Sequence, residues 1–146
     1  MSHQLELFLN KELANLNVLF VKLNKYHWYV KGEKFFTLHE KFQEYYEEVA
    51  ELIDEVAERN LMIGNQPIGT LKEYLAFTTL EEETENDLPH REMVARTLKD
   101  FETIASELKE GISLAGDEGD NTTEDFLIGT LASFEKHIWM LRSFLK

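Results

Sequence analysis

The chain has 146 residues, 43% of them apolar and 12% aromatic, and a formal charge of −13 from 15 basic and 28 acidic side chains. This length suits one domain with a real core, and the apolar content excludes a disordered chain. The lack of Cys excludes disulfides, thiolate metal sites, iron–sulfur clusters and cysteine nucleophiles, while the acidic balance argues against coating duplex DNA and for attracting cations.

Only 2 Pro and 7 Gly are present, too few for the turns of an all-β sandwich, so helices are expected. No run of about 18 apolar residues marks a membrane span. The first ten residues carry no Lys or Arg, so no basic leader start is read there and a cytoplasmic location is expected. Charge is uneven along the chain. Residues 40–58 hold eight acids against Lys41, and residues 110–135 hold no Lys or Arg.

Four long segments show the i, i+3, i+4, i+7 spacing of an amphipathic helix. The first runs from about Leu5 to Val30, striped by Leu16, Phe20, Leu23, His27 and Val30, and Gly32 breaks it. The second runs from Thr37 to about Ile63, striped by Leu38, Phe42, Tyr45, Val49, Leu52 and Val56. Thr37-Leu-His-Glu40 reads as its capping box and Gly64 as its stop. Residues 64–89 form a long connection. Within it Thr70-Leu-Lys-Glu73 is a second capping box, opening a short helix, and an acidic run follows at 81–87. The third long helix covers about 90–114, ended by Gly116 and Gly119. The fourth begins at Thr122, where Thr122-Thr-Glu-Asp125 resembles a capping box, and is striped by Leu127, Leu131, Phe134, Ile138, Leu141 and Leu145.

Loop lengths set the topology. Residues 31–36 and 116–121 are short, so each flanking helix pair is antiparallel. A 26-residue helix is about 39 Å long, and about 12 extended residues cover that distance. The connection of about 25 residues can therefore run the length of the bundle. The expected fold is all-α: a ferritin-like four-helix bundle with one long crossover carrying a short extra helix, as one domain over residues 1–146.

The chemistry lies in His and carboxylate spacing. The five His are His3, His27, His39, His90 and His137. A lone His on an apolar stripe is usually a packed residue, and acids on a helix face are usually solvated. Di-iron bundles ordinarily use Glu-x-x-His, which is absent here; the nearest approach is Asp87-Leu-Pro-His90. An intrachain di-iron centre is therefore not expected. His39 and Gln43 share a face at i, i+4, as do Asp54 and Glu58. His39 and Asp54 lie about 60° apart around the axis but about 22 Å apart along it, beyond the reach of one ion. Two copies of this helix, antiparallel about a two-fold, can bring Asp54 of one chain to His39 of the other. Imidazole with carboxylate suits Fe(II), Mn(II) or Zn(II). Geometry permits this arrangement without demanding it.

Three stretches carry a resemblance: His27-Trp-Tyr-Val-Lys-Gly32, Phe35-Phe-Thr-Leu-His-Glu-Lys-Phe42 and Asp54-Glu-Val-Ala-Glu-Arg59. Thr70-Leu-Lys-Glu-Tyr-Leu75 and Lys136-His-Ile-Trp-Met140 add to it. Together they resemble the Dps family of mini-ferritins over nearly the whole chain. The resemblance implies a homododecameric hollow cage with ferroxidase sites at two-fold interfaces, and Fe(II) and hydrogen peroxide as substrates. It also implies storage of ferric mineral, with protection of DNA and the cell from oxidative damage.

Carried over by motif, His27 and His39 come from one subunit and Asp54 and Glu58 from its partner, with Trp28 beside the iron as an electron donor. Glu40, Glu44, Glu47 and Glu51 become mineral-nucleation residues, and Asp117, Asp120 and Asp125 line an acidic pore. Two departures stand out. Gln43 replaces the usual Asp or Glu, making it a doubtful ligand, and no basic N-terminal extension is present. Direct DNA binding is therefore not expected. A cage-forming metal-binding scaffold with weak or lost ferroxidase activity is the alternative. Trp139 reads as a packing residue.

Overall fold

The computed structural model describes residues 3–146. Five helices follow in chain order: α1 (His3–Tyr29), α2 (Phe35–Met62), α3 (Leu71–Phe77), α4 (His90–Asp117) and α5 (Asn121–Leu145). Among the described residues there is no strand. Cross-helix contacts fix the directions. Asn10 meets Asn60 and His27 meets His39, so α1 and α2 are antiparallel. Lys22 meets Asp100 and Asn15 meets Glu107, so α4 also runs against α1. Arg91 reaches the Leu145 carbonyl and Arg142 reaches Glu102, pairing α4 with α5. The result is the expected bundle, with α2 and α4 parallel because the crossover returns the chain to its starting end.

The apolar stripes meet in one core. Leu9, Leu16 and Leu23 of α1, Phe42 of α2, Phe101 and Ile104 of α4 and Leu127 of α5 are all almost fully buried. Each such side chain contributes about 1.5–3 kcal/mol of hydrophobic stabilisation relative to exposure. α1 is covered on several sides, because the crossover lies over the face that α2 and α4 leave open. That face is polar. Lys22 Nζ donates to the Glu81 carbonyl and Lys25 Nζ to the Glu83 carbonyl. The Tyr26 hydroxyl donates to Glu83 at 2.6 Å, and Asn10 Oδ1 accepts from the Ile68 amide. Backbone groups of an irregular segment must find partners, and α1 side chains supply them.

Helix boundaries correct three readings. Thr37 does not cap α2: the helix starts at Phe35 after Lys34, whose side chain makes no cap, and the Phe35 amide bonds the Gly32 carbonyl. The tight turn lets α2 begin early, so Thr37 is already inside the helix. Thr122 does not cap α5 either. Asp120 does, accepting from the Thr123 amide at 3.1 Å and the Thr123 hydroxyl at 2.7 Å. Asp ranks among the strongest N-caps and stands two residues earlier. Gly116 lies within α4, which runs to Asp117; beyond it, the φ of +76° at Gly119 lets the Asp120 amide reach back to the Ala115 carbonyl. The Thr70–Glu73 box forms as read, with both reciprocal hydrogen bonds.

At Gly111, α4 packs directly against the Phe8 ring of α1. A Cβ there would lie 2.1 Å from Cζ of the buried Phe8 ring. Gly111→Ala gains up to about 1 kcal/mol of helix propensity. It also overpacks the seam, at about 1–3 kcal/mol. A contact this short belongs at the upper end, so a net loss is expected. A lowered thermal midpoint checks it; an unchanged or raised one shows that Phe8 swings away freely.

Candidate metal centre

The turn over residues 30–34 folds the end of α1 onto the start of α2. This brings His27 and His39 face to face, with ring centroids 3.8 Å apart and planes 13° from parallel. The hydrogen bonds are reciprocal. His27 Nδ1 lies 2.6 Å from the His39 carbonyl oxygen, and His39 Nδ1 lies 2.7 Å from the His27 carbonyl oxygen. A carbonyl only accepts, so each Nδ1 carries the proton. In the neutral ring the lone pair then sits on Nε2, and backbone-fixed imidazoles of this kind are the usual metal-ligating form. Phe35 stacks on the other face of His39 at 4.9 Å, and the Tyr46 ring stands edge-on to His27 at 5.3 Å. His27 is buried and His39 half-buried. The two rings are thus locked by backbone, by each other and by aromatic walls.

Asp54 and Glu58 are exposed on α2, about four turns and more beyond His39. Among the described residues no three His, Asp or Glu side chains converge. One chain therefore holds a two-imidazole half and a separate two-carboxylate half, about 22 Å apart along α2. Phe36, Gln43, Asp54 and Leu61 lie within about 20° of one another around that helix. All four are exposed, Phe36 at 84%. Trp28, beside the imidazole pair, is 67% exposed, and Met62 is also open. Large apolar side chains on the same stripe as the carboxylates mark a surface built for contact.

Glu40, Glu44, Glu47 and Glu51 are all exposed, and Glu44 pairs with Lys41 at 3.3 Å. Their neighbour Glu48, not singled out by the sequence reading, is the most engaged of the α2 acids. Its carboxylate accepts from the Ser133 hydroxyl and contacts His137 Nε2, each at 2.7 Å. The His137 hydrogen bond, aided by Ser133, holds Glu48 below the usual carboxylate range. Glu48 and His137 are too far apart in sequence for any local pattern to reveal the pair. Asp117 is exposed at the end of α4, Asp120 uses its carboxylate as the α5 cap, and Asp125 lies with Glu48, Glu51 and Glu55 along the α2–α5 groove. Trp139, read as a packing residue, is 64% exposed, because the α5 stripe that faces the core is Phe134, Ile138 and Leu141.

The ferritin-like domain family matches residues 6–146. The chain is 48% identical over 145 residues to DNA protection during starvation protein 2 of Bacillus anthracis, covering 99% of each. It is 46% identical over 139 residues to the DNA protection during starvation protein of Listeria monocytogenes, covering 94% of this chain and 89% of that one. The crystal structure of Dps from Staphylococcus aureus superposes with a TM-score of 0.95 at 40% identity, covering 99% of this chain and 97% of that chain. The fold, its long crossover and this full-length similarity lead to one assignment: the chain belongs to the Dps family of ferritin-like proteins.

Proposed function

We propose that copies of this chain assemble as a homododecameric cage that oxidises Fe(II), preferably with hydrogen peroxide, and stores the ferric product. One observation carries the reading: a locked imidazole pair on one part of the chain, and a carboxylate pair on an exposed stripe with apolar side chains. A two-fold that pairs α2 with its copy joins the two halves twice over. His27 and His39 bind Fe(II) through Nε2, while Asp54 and Glu58 of the partner bind and compensate its charge. Imidazole and carboxylate together suit this ion. Hydrogen peroxide takes one electron from each of two Fe(II) ions, leaving two Fe(III) and two hydroxides, so no hydroxyl radical is released. Trp28, which is exposed, would donate an electron to any stray oxidant. Gln43 lies on the same stripe as Asp54, and its amide is a weaker ligand than a carboxylate for the second iron.

Ferric product would then collect on the open carboxylates of Glu40, Glu44, Glu47 and Glu51. Asp117, Asp120 and Asp125 are proposed to guide iron inward. With a charge of −13, protection of DNA works by removing Fe(II) and peroxide rather than by coating. No helix of the described residues is long and apolar enough to cross a membrane, and the cytoplasm is the proposed setting. Gln43 also favours a second reading, a metal-binding cage with weak oxidation.

The test loads the protein anaerobically with Fe(II) and adds one hydrogen peroxide per two irons, following ferric absorbance and a radical trap together. Fast oxidation with a silent trap is expected. Slow oxidation, or radical at the protein-free level, overturns the ferroxidase reading and leaves the metal-binding cage.

A further inference from the structure

Glu12 lies on the core face of α1, only 2% exposed, and neither carboxyl oxygen makes a hydrogen bond of ordinary geometry. An ionised carboxylate in such a place is prohibitively costly. Around the small void beside it, the side chains from α2 and α5 are apolar except Thr130. The charged groups that face it are Glu107 of α4 and Lys11 of its own helix. Lys11 Nζ is 3.7 Å from Glu107 Oε1. Glu107 is well supplied with donors: Asn15 Nδ2 donates to Oε1 at 2.9 Å and the Thr79 hydroxyl to Oε2 at 2.7 Å. The Asn15 amide group also contacts the Thr79 hydroxyl at 3.0 Å, so its N–H groups are engaged. Asn15 Oδ1 in turn accepts from the Thr79 amide at 2.7 Å and the Thr78 hydroxyl at 2.6 Å.

Glu107 is therefore an anion that can accept one more hydrogen bond, and Glu12 has oxygens that nothing satisfies. We propose that Glu12 is a neutral carboxylic acid whose proton bridges to Glu107, closing a clasp that fastens the crossover at Thr78–Thr79 to the α1–α4 seam and makes that attachment sensitive to pH. Thr78 is the residue at which α3 ends, so the clasp also sets the position of α3 on α1. Burial, reinforced by Glu107, outweighs the opposing pull of Lys11 and Asn15 and pushes Glu12 well above the usual carboxylate range. Burial works to raise Glu107 too, but the contacts from Glu12, Thr79, Lys11 and Asn15 outweigh it and hold Glu107 low.

The sign follows from proton uptake. An unfolded chain ionises Glu12 near its ordinary value of 4.5, whereas the folded chain keeps the proton to a higher pH. Across that window the folded-to-unfolded ratio falls about tenfold per pH unit. The depressed Glu107 acts only below its ordinary value, outside this alkaline limb. Glu12→Gln replaces the acid with an amide that donates at every pH. It is expected to remove this limb, to be more stable than wild type at alkaline pH, and to slow hydrogen exchange of the Thr79 amide there.

The experiment measures urea unfolding and Thr79 amide exchange for wild type and Glu12→Gln between about pH 4 and pH 9, a span that starts below the ordinary carboxylate value and runs well above it. Parallel curves for the two proteins overturn the proposal. Infrared difference spectra give a second reading, independent of unfolding. Wild type at neutral pH should show the carbonyl stretch of a buried protonated acid, which Glu12→Gln lacks. Wild type without that band also overturns it. Neither outcome depends on iron oxidation.

Discussion

Alanine at His39 and alanine at Asp54 are each expected to slow peroxide-driven Fe(II) oxidation by at least 10- to 100-fold, roughly the loss seen even for outer-shell partners of metal ligands. The two variants should differ in stability. His39→Ala removes a ring stacked between His27 and Phe35 and one hydrogen bond to the His27 carbonyl, at about 0.5–1.5 kcal/mol for the bond. Asp54 is exposed, and its loss should stay within about 0.5 kcal/mol. Mixing the two variants during assembly gives the decisive result. In a pair formed from one of each, one site receives His39 and Asp54 together and the other receives neither. Random pairing therefore restores roughly a quarter of the wild-type sites. A mixture no more active than its components would rule out a site shared between subunits.

Lys22→Met is expected to cost about 3–5 kcal/mol, because it strands Asp100 as an unpaired buried charge. Lys22 Nζ and Asp100 Oδ2 are 2.6 Å apart and both side chains are nearly buried. At this chain length each kcal/mol lowers the thermal midpoint by roughly 4 °C. Adding Asp100→Leu should return most of the loss. Burial outweighs the pull of Lys22 and leaves Asp100 above the usual carboxylate range, and a buried ion pair is often matched by apolar side chains of similar volume. A double variant as unstable as Lys22→Met alone would mean that the ion pair contributes net stability.

Helix existence was legible because it is local. A 3.6-residue period, Gly32 and Gly64 as breaks and the Thr70–Glu73 box all act within a turn or two of backbone. The bundle order followed from loop lengths, since two short turns and one long crossover leave few alternatives. Helix starts were less legible, because neighbouring caps compete: Asp120 outranks Thr122, and the turn at Gly32 starts α2 before Thr37 is reached. His27 and His39 were readable as candidates from motif resemblance, yet their reciprocal lock was not. It needs two backbone carbonyls brought opposite two rings by a turn.

By itself, then, the sequence determined four long helices, one long crossover, a strongly acidic surface and two separated sets of metal-competent side chains. Only the tertiary structure decided what the polar residues do. Asn10, Asn15, Lys22 and Tyr26 hold the crossover, Glu48 meets His137, and Glu12 is sealed from solvent on the core face of α1. The physical reason is range. Helical periodicity is set by hydrogen bonds four residues apart, whereas a buried polar group must be satisfied by whatever lies beside it in space, often dozens of residues away in the chain.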